Sequence, residues 1–329
     1  MDNSKGVLLA CKGLTVTFET IDGRFNAVDD ISLEIEKGQV LGVVGESGCG
    51  KSMTALAVLG LVPEPGVVSK GTIEFEGSNL RDKTDIEMQN IRGNSIAMIF
   101  QEPMTSLNPV YRIGSQVSEA LQIHFSLSHQ EARNRSIEAL RSVGIPAPEK
   151  RYSEYPHQLS GGMRQRVMIA MAMCCKPSLL IADEPTTALD VTIQAQIMDL
   201  MNNLVKDSLM SVLFITHDLG VVAEMCDHVV VMYAGKIIES SYIADLFEDP
   251  LHPYTKGLLK SIPNVEETIE KLNIIPGTVP GLQELTAKGC RFMPRCKQSM
   301  EVCHTIEPQL SEIKRHHHVS CHLYGDNSL

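Results

Sequence analysis

Three stretches of this chain predict an α/β fold with a wound, largely parallel sheet. The apolar run Val40-Leu41-Gly42-Val43-Val44 leads through Gly45-Glu46-Ser47-Gly48-Cys49-Gly50-Lys51-Ser52 into the helical segment Met53–Leu59, which reads as strand, glycine-rich loop and helix. Ser178-Leu179-Leu180-Ile181-Ala182 is a second apolar run, and it ends in the acids Asp183-Glu184, as a buried parallel strand with carboxylates at its C-terminal edge would. Between and after these, strand-like and helix-like segments alternate.

The loop carries the first chemistry. Its glycines let the backbone fold back so that successive N–H groups and the N-terminus of the following helix face an anion. Lys51 is placed to reach β- and γ-phosphates and Ser52 to hold Mg²⁺, so a nucleoside triphosphate is the expected ligand. Gly45, Ser47, Gly48, Cys49, Gly50, Lys51 and Ser52 are therefore binding-site residues in this reading.

Length and composition bound the rest. At 329 residues the chain exceeds what one core usually fills, about 250–300 residues, so a main domain plus an appendage is expected. With 43% hydrophobic and 21% charged residues, disordered and fibrous classes are excluded. A net charge of −11 argues against a nucleic-acid surface as the main partner. The start Met-Asp-Asn-Ser-Lys lacks a signal core and no stretch of eighteen apolar residues occurs, so a cytosolic location is expected. In that reducing compartment the nine cysteines are packing thiols or metal ligands rather than disulfides.

In chain order, Leu14–Phe18 and Ile31–Ile35 alternate apolar with polar residues, punctuated by Asp22-Gly23 and Lys37-Gly38, and form a small β-rich segment before the loop. Phe18 is the favoured aromatic platform for a nucleotide base. Gly71–Gly77 is a further alternating strand, and Ile96–Phe100 is a buried one that ends at Gln101. From about Ser106 to Pro156 the apolar spacing turns helical, which predicts a helical insert. It closes at Tyr155-Pro156-His157-Gln158, and Leu159-Ser160-Gly161-Gly162-Met163-Arg164-Gln165-Arg166 then opens an apolar helix. Ile193, Ile197, Leu200, Met201 and Leu204 share a helical face. Val212–Thr216 is a strand running into His217-Asp218, and His228–Tyr233 is another that turns at Ala234-Gly235 into Lys236-Ile237-Ile238. Past His252-Pro253-Tyr254-Thr255 prolines punctuate a tail that has a charged helix around Val265–Leu272 and four of the cysteines.

Asp183 and Glu184 are expected to share the phosphate loop's sheet edge and to divide the work. Asp183 would hold Mg²⁺ through water, while Glu184, one residue outside the strand, polarises the attacking water.

Taken together, the loop, Gln101, the segment Leu159–Arg166, Asp183-Glu184, Thr187-Ala188-Leu189-Asp190 and His217 resemble, in order, the motifs of an ABC transporter nucleotide-binding subunit. That resemblance implies a β-subdomain, a RecA-like core and a helical insert. It implies ATP as substrate and two such subunits facing head to tail, so that Ser160, Gly161 and Gly162 of one meet the γ-phosphate held by Lys51 of the other. It further implies that His217 grips the γ-phosphate, that Gln101 senses Mg²⁺ and the attacking water, and that Asp190 lies at the subunit contact. Phe100–Pro109, Tyr155–Ser160 and His252–Thr255 are most similar to dipeptide and oligopeptide permease ATPases, a group that includes nickel-type importers. Members usually have Ser where this loop has Cys49, a position that contributes its N–H.

The expected machine is thus an importer. Its partners are two transmembrane permease subunits, a paralogous ATPase forming a heterodimer and, indirectly, an extracytoplasmic binding protein, with this chain peripheral at the cytoplasmic face of the membrane. The helical insert around Leu107–Ala120 is the expected permease dock. A soluble cassette of DNA repair or translation is the competing class, disfavoured by the single cassette, the short insert and the charge. The cassette is expected over 1–260, with its helical part at about 102–170, and the extension over 261–329.

Cys290, Cys296, Cys303 and Cys321 follow the spacing C-x5-C-x6-C-x17-C, which does not by itself choose among zinc, an iron–sulfur cluster and free thiols. In the permease ATPases this spacing, with Pro294-Arg295-Cys296, goes with a [4Fe-4S] cluster, and a tail poor in aliphatic residues is expected to be held together by it. Cys11, Cys174, Cys175 and Cys226 read as core thiols.

Overall fold

The computed structural model describes residues 6–101, 106–187, 190–262, 275–281 and 288–324. By contacts the chain divides into two compact units. One comprises Met1–Leu8, Glu36–Gly38 and Asp82–Leu213, and the other Leu9–Ile35, Gln39–Arg81 and Phe214–Leu329.

The second unit holds a four-stranded sheet in the order β2-β1-β4-β5, from β1 (Val7–Thr20), β2 (Gly23–Glu36), β4 (Gly66–Phe75) and β5 (Ser78–Asn79). The alternating sequence pattern underlies it: Ile31, Leu33 and Ile35 point inward while their neighbours are exposed. In the same unit β3 (Val40–Val44) lies parallel to β9 (His228–Tyr233), with Leu41 opposite His228 and Val44 opposite Val231. β3 is buried along its whole length, as an apolar run with no alternation requires. The sheet then turns antiparallel. β10 (Lys236–Tyr242) returns on β9, β12 (His317–Val319) pairs with β10, and β11 (Ser311–Lys314) pairs with β12. Beyond β9 the wound arrangement therefore gives way to a meander, because Ala234-Gly235 is a tight turn with both residues at positive φ. Residues of the expected extension lie in this second unit, with β12 extending β10.

The first unit contains β6 (Ile96–Ile99) parallel to β7 (Leu179–Asp183) and the helices α3 (Ile113–Phe125), α4 (His129–Ser142), α5 (Pro148–Arg151), α6 (Gly161–Met173) and α7 (Val191–Ser208). α1 (Lys51–Val58), α8 (Leu219–Met225) and α9 (Ile243–Glu248) are in the second unit, and α2 is Asp85–Ile91. The insert is helical as the spacing predicts, with Val117, Leu121, Ala132 and Leu140 fully buried. Ser128 caps α4 in a reciprocal capping box with Glu131. β8 (Ser211–Thr216) is divided between the two units after Leu213. The helix expected around Val265–Leu272 lies outside the described residues, as do Ala188 and Leu189.

Candidate nucleotide site

The phosphate loop is built by β3 and α1 within the second unit. Gly45, Gly48 and Gly50 have φ of 157°, 80° and 105°, so the doubled-back path the motif implies is present. A Cβ on Gly45 would sit 2.3 Å from the Met232 carbonyl oxygen, and one on Gly50 would sit 2.7 Å from that of Ala27. Neither position accepts a side chain. Lys51 is buried, and its Nζ donates to the carbonyl oxygens of Gly45 at 2.7 Å and Glu46 at 3.1 Å. The ammonium is thus held over the loop by weak neutral acceptors that phosphate oxygens can replace.

Cys49 turns its thiol inward, fully buried. Burial pushes that thiol's pKa up, against the pull of the neighbouring Lys51. Its N–H bonds the Glu46 carbonyl at 3.3 Å, and its carbonyl accepts the Gly235 N–H at 2.9 Å. Ser47 and Gly48 form the exposed crest of the loop, and Ser52 is half-buried at the start of α1.

A second layer holds the loop from behind. Tyr254, fully buried near the start of α10 (Pro253–Lys260), accepts the Glu46 N–H on its hydroxyl at 2.9 Å. Its ring packs on Tyr233 and Phe292 at centroid distances of 4.8 and 5.4 Å. The Glu46 carboxylate receives both terminal nitrogens of Arg295, at 2.6 and 3.0 Å. Sequence reasoning missed Glu46, Tyr254 and Arg295 as site residues. Tyr254 and Arg295 were in view only as parts of family stretches, and nothing in local spacing marks them as loop contacts.

Phe18 is half-buried opposite Gly66, and its ring lies so close over that glycine that a Cβ there would meet it at 2.6 Å. His217 follows β8 and is exposed.

In the first unit Asp183 ends β7 and is buried, while Glu184 stands just outside it with φ 45°, a left-handed conformation that a side chain adopts at a cost. Glu184 Oε2 accepts Gln101 Nε2 at 3.0 Å and Thr187 Oγ1 at 2.9 Å. The strained backbone and these two donors aim one carboxylate away from the strand. The structure therefore brings Gln101 and Glu184 together across 83 positions of sequence. Ser160 caps α6 by accepting the Met163 N–H, and Ser160 and Gly161 are exposed at that positive helix end. Gly162 lets α7 approach, since a Cβ there would lie 2.8 Å from Ile193 Cγ2. Asp190 caps α7 by accepting the Ile193 N–H at 2.9 Å.

Among the four tail cysteines, Cys303 Sγ accepts the Met300 N–H at 3.5 Å. Burial lifts the Cys290 pKa to about 11 and raises those of Cys296 and Cys321, and neighbouring cysteines of the set add to each rise. Among the described residues, however, no group of three or more His, Cys, Asp or Glu is arranged to hold a metal ion, so the expected ligand set is not assembled there. Of the four expected core thiols, Cys11, Cys175 and Cys226 are buried and Cys174 is half-buried.

A model of the ABC transporter family matches residues 28–187, and one described as the oligopeptide/dipeptide transporter C-terminal region matches 238–303. The oligopeptide transport ATP-binding protein AppD of Bacillus subtilis is 52% identical over 91% of this chain and 92% of its own length. The chain belongs to the ABC transporter ATP-binding family. A putative peptide import ATP-binding protein of Brucella melitensis is 49% identical over 97% of both chains, and the dipeptide transport protein DppD of Haemophilus influenzae is 50% identical over 96% of this chain and 95% of its own. A dimeric ATP-binding cassette solved in a post-hydrolysis state with ADP and Pi matches at a TM-score of 0.64 and 28% identity, over 72% of this chain and 99% of that one. The cassette fold expected from the motifs is thus borne out. Among the described residues no helix of this cassette is long and apolar enough to cross a membrane.

Proposed function

We propose that this cassette is the ATP-hydrolysing subunit of an importer of dipeptides or oligopeptides. The observation that carries the reading is the likeness to named peptide-import ATP-binding proteins over nearly the whole chain, including a C-terminal region matched by the oligopeptide/dipeptide model.

In the proposed mechanism the loop N–H groups and the N-terminus of α1 receive the phosphates, and Lys51 exchanges its contacts with the Gly45 and Glu46 carbonyls for β- and γ-oxygens. Ser52 and Asp183 would hold Mg²⁺, which supplies charge neutralisation at the phosphates; a carboxylate buried at a strand end suits a cation. Glu184 polarises the attacking water, with Gln101 fixing its carboxylate, and His217 holds the γ-phosphate. Phe18 is the proposed base platform. The Ser160-Gly161-Gly162 end of α6, exposed at its first two residues, would face nucleotide on a partner ATPase, with Asp190 at that contact.

Two permease subunits, a paralogous ATPase and, indirectly, an external binding protein complete the proposed machine, with this chain peripheral at the cytoplasmic face. The cassette would span 1–260, with its helical part at about 102–170, and the extension 261–329. The extension's four cysteines would hold an iron–sulfur cluster. What supports the reading is the match of residues 238–303, which include Cys290, Cys296 and Cys303, to the oligopeptide/dipeptide transporter C-terminal region.

The test is peptide uptake into vesicles carrying the reconstituted transporter. Glu184→Gln should bind ATP but lower hydrolysis and uptake by roughly 10²- to 10⁴-fold. Near-normal turnover would remove Glu184 from its role, and uptake of nickel in place of peptides would reassign the cargo.

A further inference from the structure

The phosphate loop contains a carboxylate, Glu46, in the place where a polyanion is to bind. Left alone, a negative charge there opposes phosphate. The structure neutralises it from the C-terminal extension, 249 positions away in sequence. Arg295 is nearly buried, its side chain 5% exposed, and all five of its guanidinium N–H groups have acceptors. Nε donates to Pro276 O at 2.9 Å. Nη1 donates to Glu46 Oε2 at 2.6 Å and to the Tyr233 hydroxyl at 3.5 Å, and Nη2 donates to Glu46 Oε1 at 3.0 Å and Ile275 O at 3.4 Å. Glu46 is the only charged acceptor among these. The pair is bidentate, the geometry that fixes orientation as well as charge, and the guanidinium also lies 5.7 Å over the Tyr233 ring.

Arg291, four residues earlier, holds the other side of the loop's support. It donates to the Ala234 carbonyl and pairs with Asp29, whose N–H bonds Gly235 O, and Gly235 in turn donates to Cys49 O. Phe292 between them seals the aromatic layer beneath the loop, 5.2 Å from Tyr233 and 5.4 Å from Tyr254. One short segment of the extension, Arg291–Arg295, thus reaches the loop by charge, by hydrogen bonds and by packing.

We propose that the extension is an electrostatic part of the nucleotide site, with Arg295 as a positioning residue that cancels the Glu46 charge and turns that carboxylate away from the phosphates. The proposal rests on the reading of Gly45–Ser52 as the phosphate loop. It makes the segment between Cys290 and Cys296 a determinant of ATP affinity and not only of the tail's own fold.

The experiment compares binding of a fluorescent ATP analogue, with Mg²⁺, to the full-length wild type, Arg295→Gln, Glu46→Gln and the double variant, with limited proteolysis as a check on the tail. Arg295→Gln should weaken ATP binding on the order of tenfold and ADP binding less, since ADP carries one charge fewer. Adding Glu46→Gln to Arg295→Gln should recover most of that loss, because the uncompensated carboxylate is gone. A role in packing alone predicts the same loss in both variants, and that result overturns the proposal. Undiminished ATP binding by Arg295→Gln overturns it as well. Failure of the wild type to bind the nucleotide would instead refute the phosphate-loop reading on which it stands.

Discussion

His252 ties acid stability to the layer behind the phosphate loop. It is 1% exposed and caps α10, its Nδ1 accepting the Tyr254 N–H at 3.0 Å while its own backbone N–H donates to Glu239 at 2.9 Å. A ring nitrogen used as an acceptor must be unprotonated, and burial, with Lys256 adding to it, lowers the pKa to about 3. The folded value lies below the unfolded one, about 6.5. Below that pH the unfolded chain binds a proton that the folded chain refuses, so this stability is complete above pH ~6.5 and is lost as pH falls toward 3. At pH 5 the loss is on the order of 2 kcal/mol, from the thirtyfold excess of protonated over neutral imidazole in the unfolded state. His252→Asn keeps a side-chain oxygen for the Tyr254 N–H at the helix start but cannot titrate. Urea denaturation at pH 7 and pH 5 should show the wild type losing about 2 kcal/mol more than this variant. His228, whose pKa burial lowers to about 4, is present in both proteins and cancels from the difference. Equal losses in the two proteins would refute the assignment of the acid sensitivity to His252.

Gly45→Ala should abolish ATP binding, since its Cβ would lie 2.3 Å from the Met232 carbonyl oxygen; equilibrium binding to the folded variant checks this. Glu239 is fully buried and accepts the Leu251 and His252 N–H groups and His317 Nε2 at 2.6, 2.9 and 2.8 Å, so Glu239→Ala should cost about 3–5 kcal/mol in denaturant titrations. Protein purified without oxygen should be brown, with iron and acid-labile sulfide in equal amounts, and Cys296→Ser should lose both; colourless protein with stoichiometric zinc would exclude the iron–sulfur reading.

What the sequence made legible is what local periodicity and covalent geometry control. The unbroken apolar runs at Val40–Val44 and Leu179–Ala182 could only be buried strands, and glycines at 45, 48 and 50 could only mark a loop with left-handed backbone. Asp183 and Glu184 separate into a buried and a partly exposed acid because one ends the strand and the next leaves it. The left-handed φ of Glu184 was not legible, for no glycine stands there to announce it. Gln101 and Glu184 were tied together only through the roles the resemblance gives both at the attacking water; parallel β6 and β7, which end at the same edge, supply the hydrogen bond. The turn at Ala234-Gly235 into Lys236–Ile238 was legible from its glycine, and β10 does fold back antiparallel on β9 there.

The extension shows the limit most clearly. Poor in aliphatic residues, it reads in sequence as a segment that metal alone could hold. Its anchors are instead polar and remote: His317 to Glu239, Arg295 to Glu46 and Lys236 to Glu307. A buried charge is tolerated only where topology delivers its partner, and sequence spacing carries no record of a contact 78 or 249 residues away. β12 is tied to β10 by backbone pairing as well, with Glu239 opposite Val319. Loss of the cysteine ligands should therefore loosen the stretch around Cys290–Cys303 while β12 stays docked. In Cys296→Ser, hydrogen exchange should accelerate at residues 290–303 and stay slow at 317–319. Equal acceleration at both would mean that the thiols, not the Glu239–His317 pair, hold the extension in place.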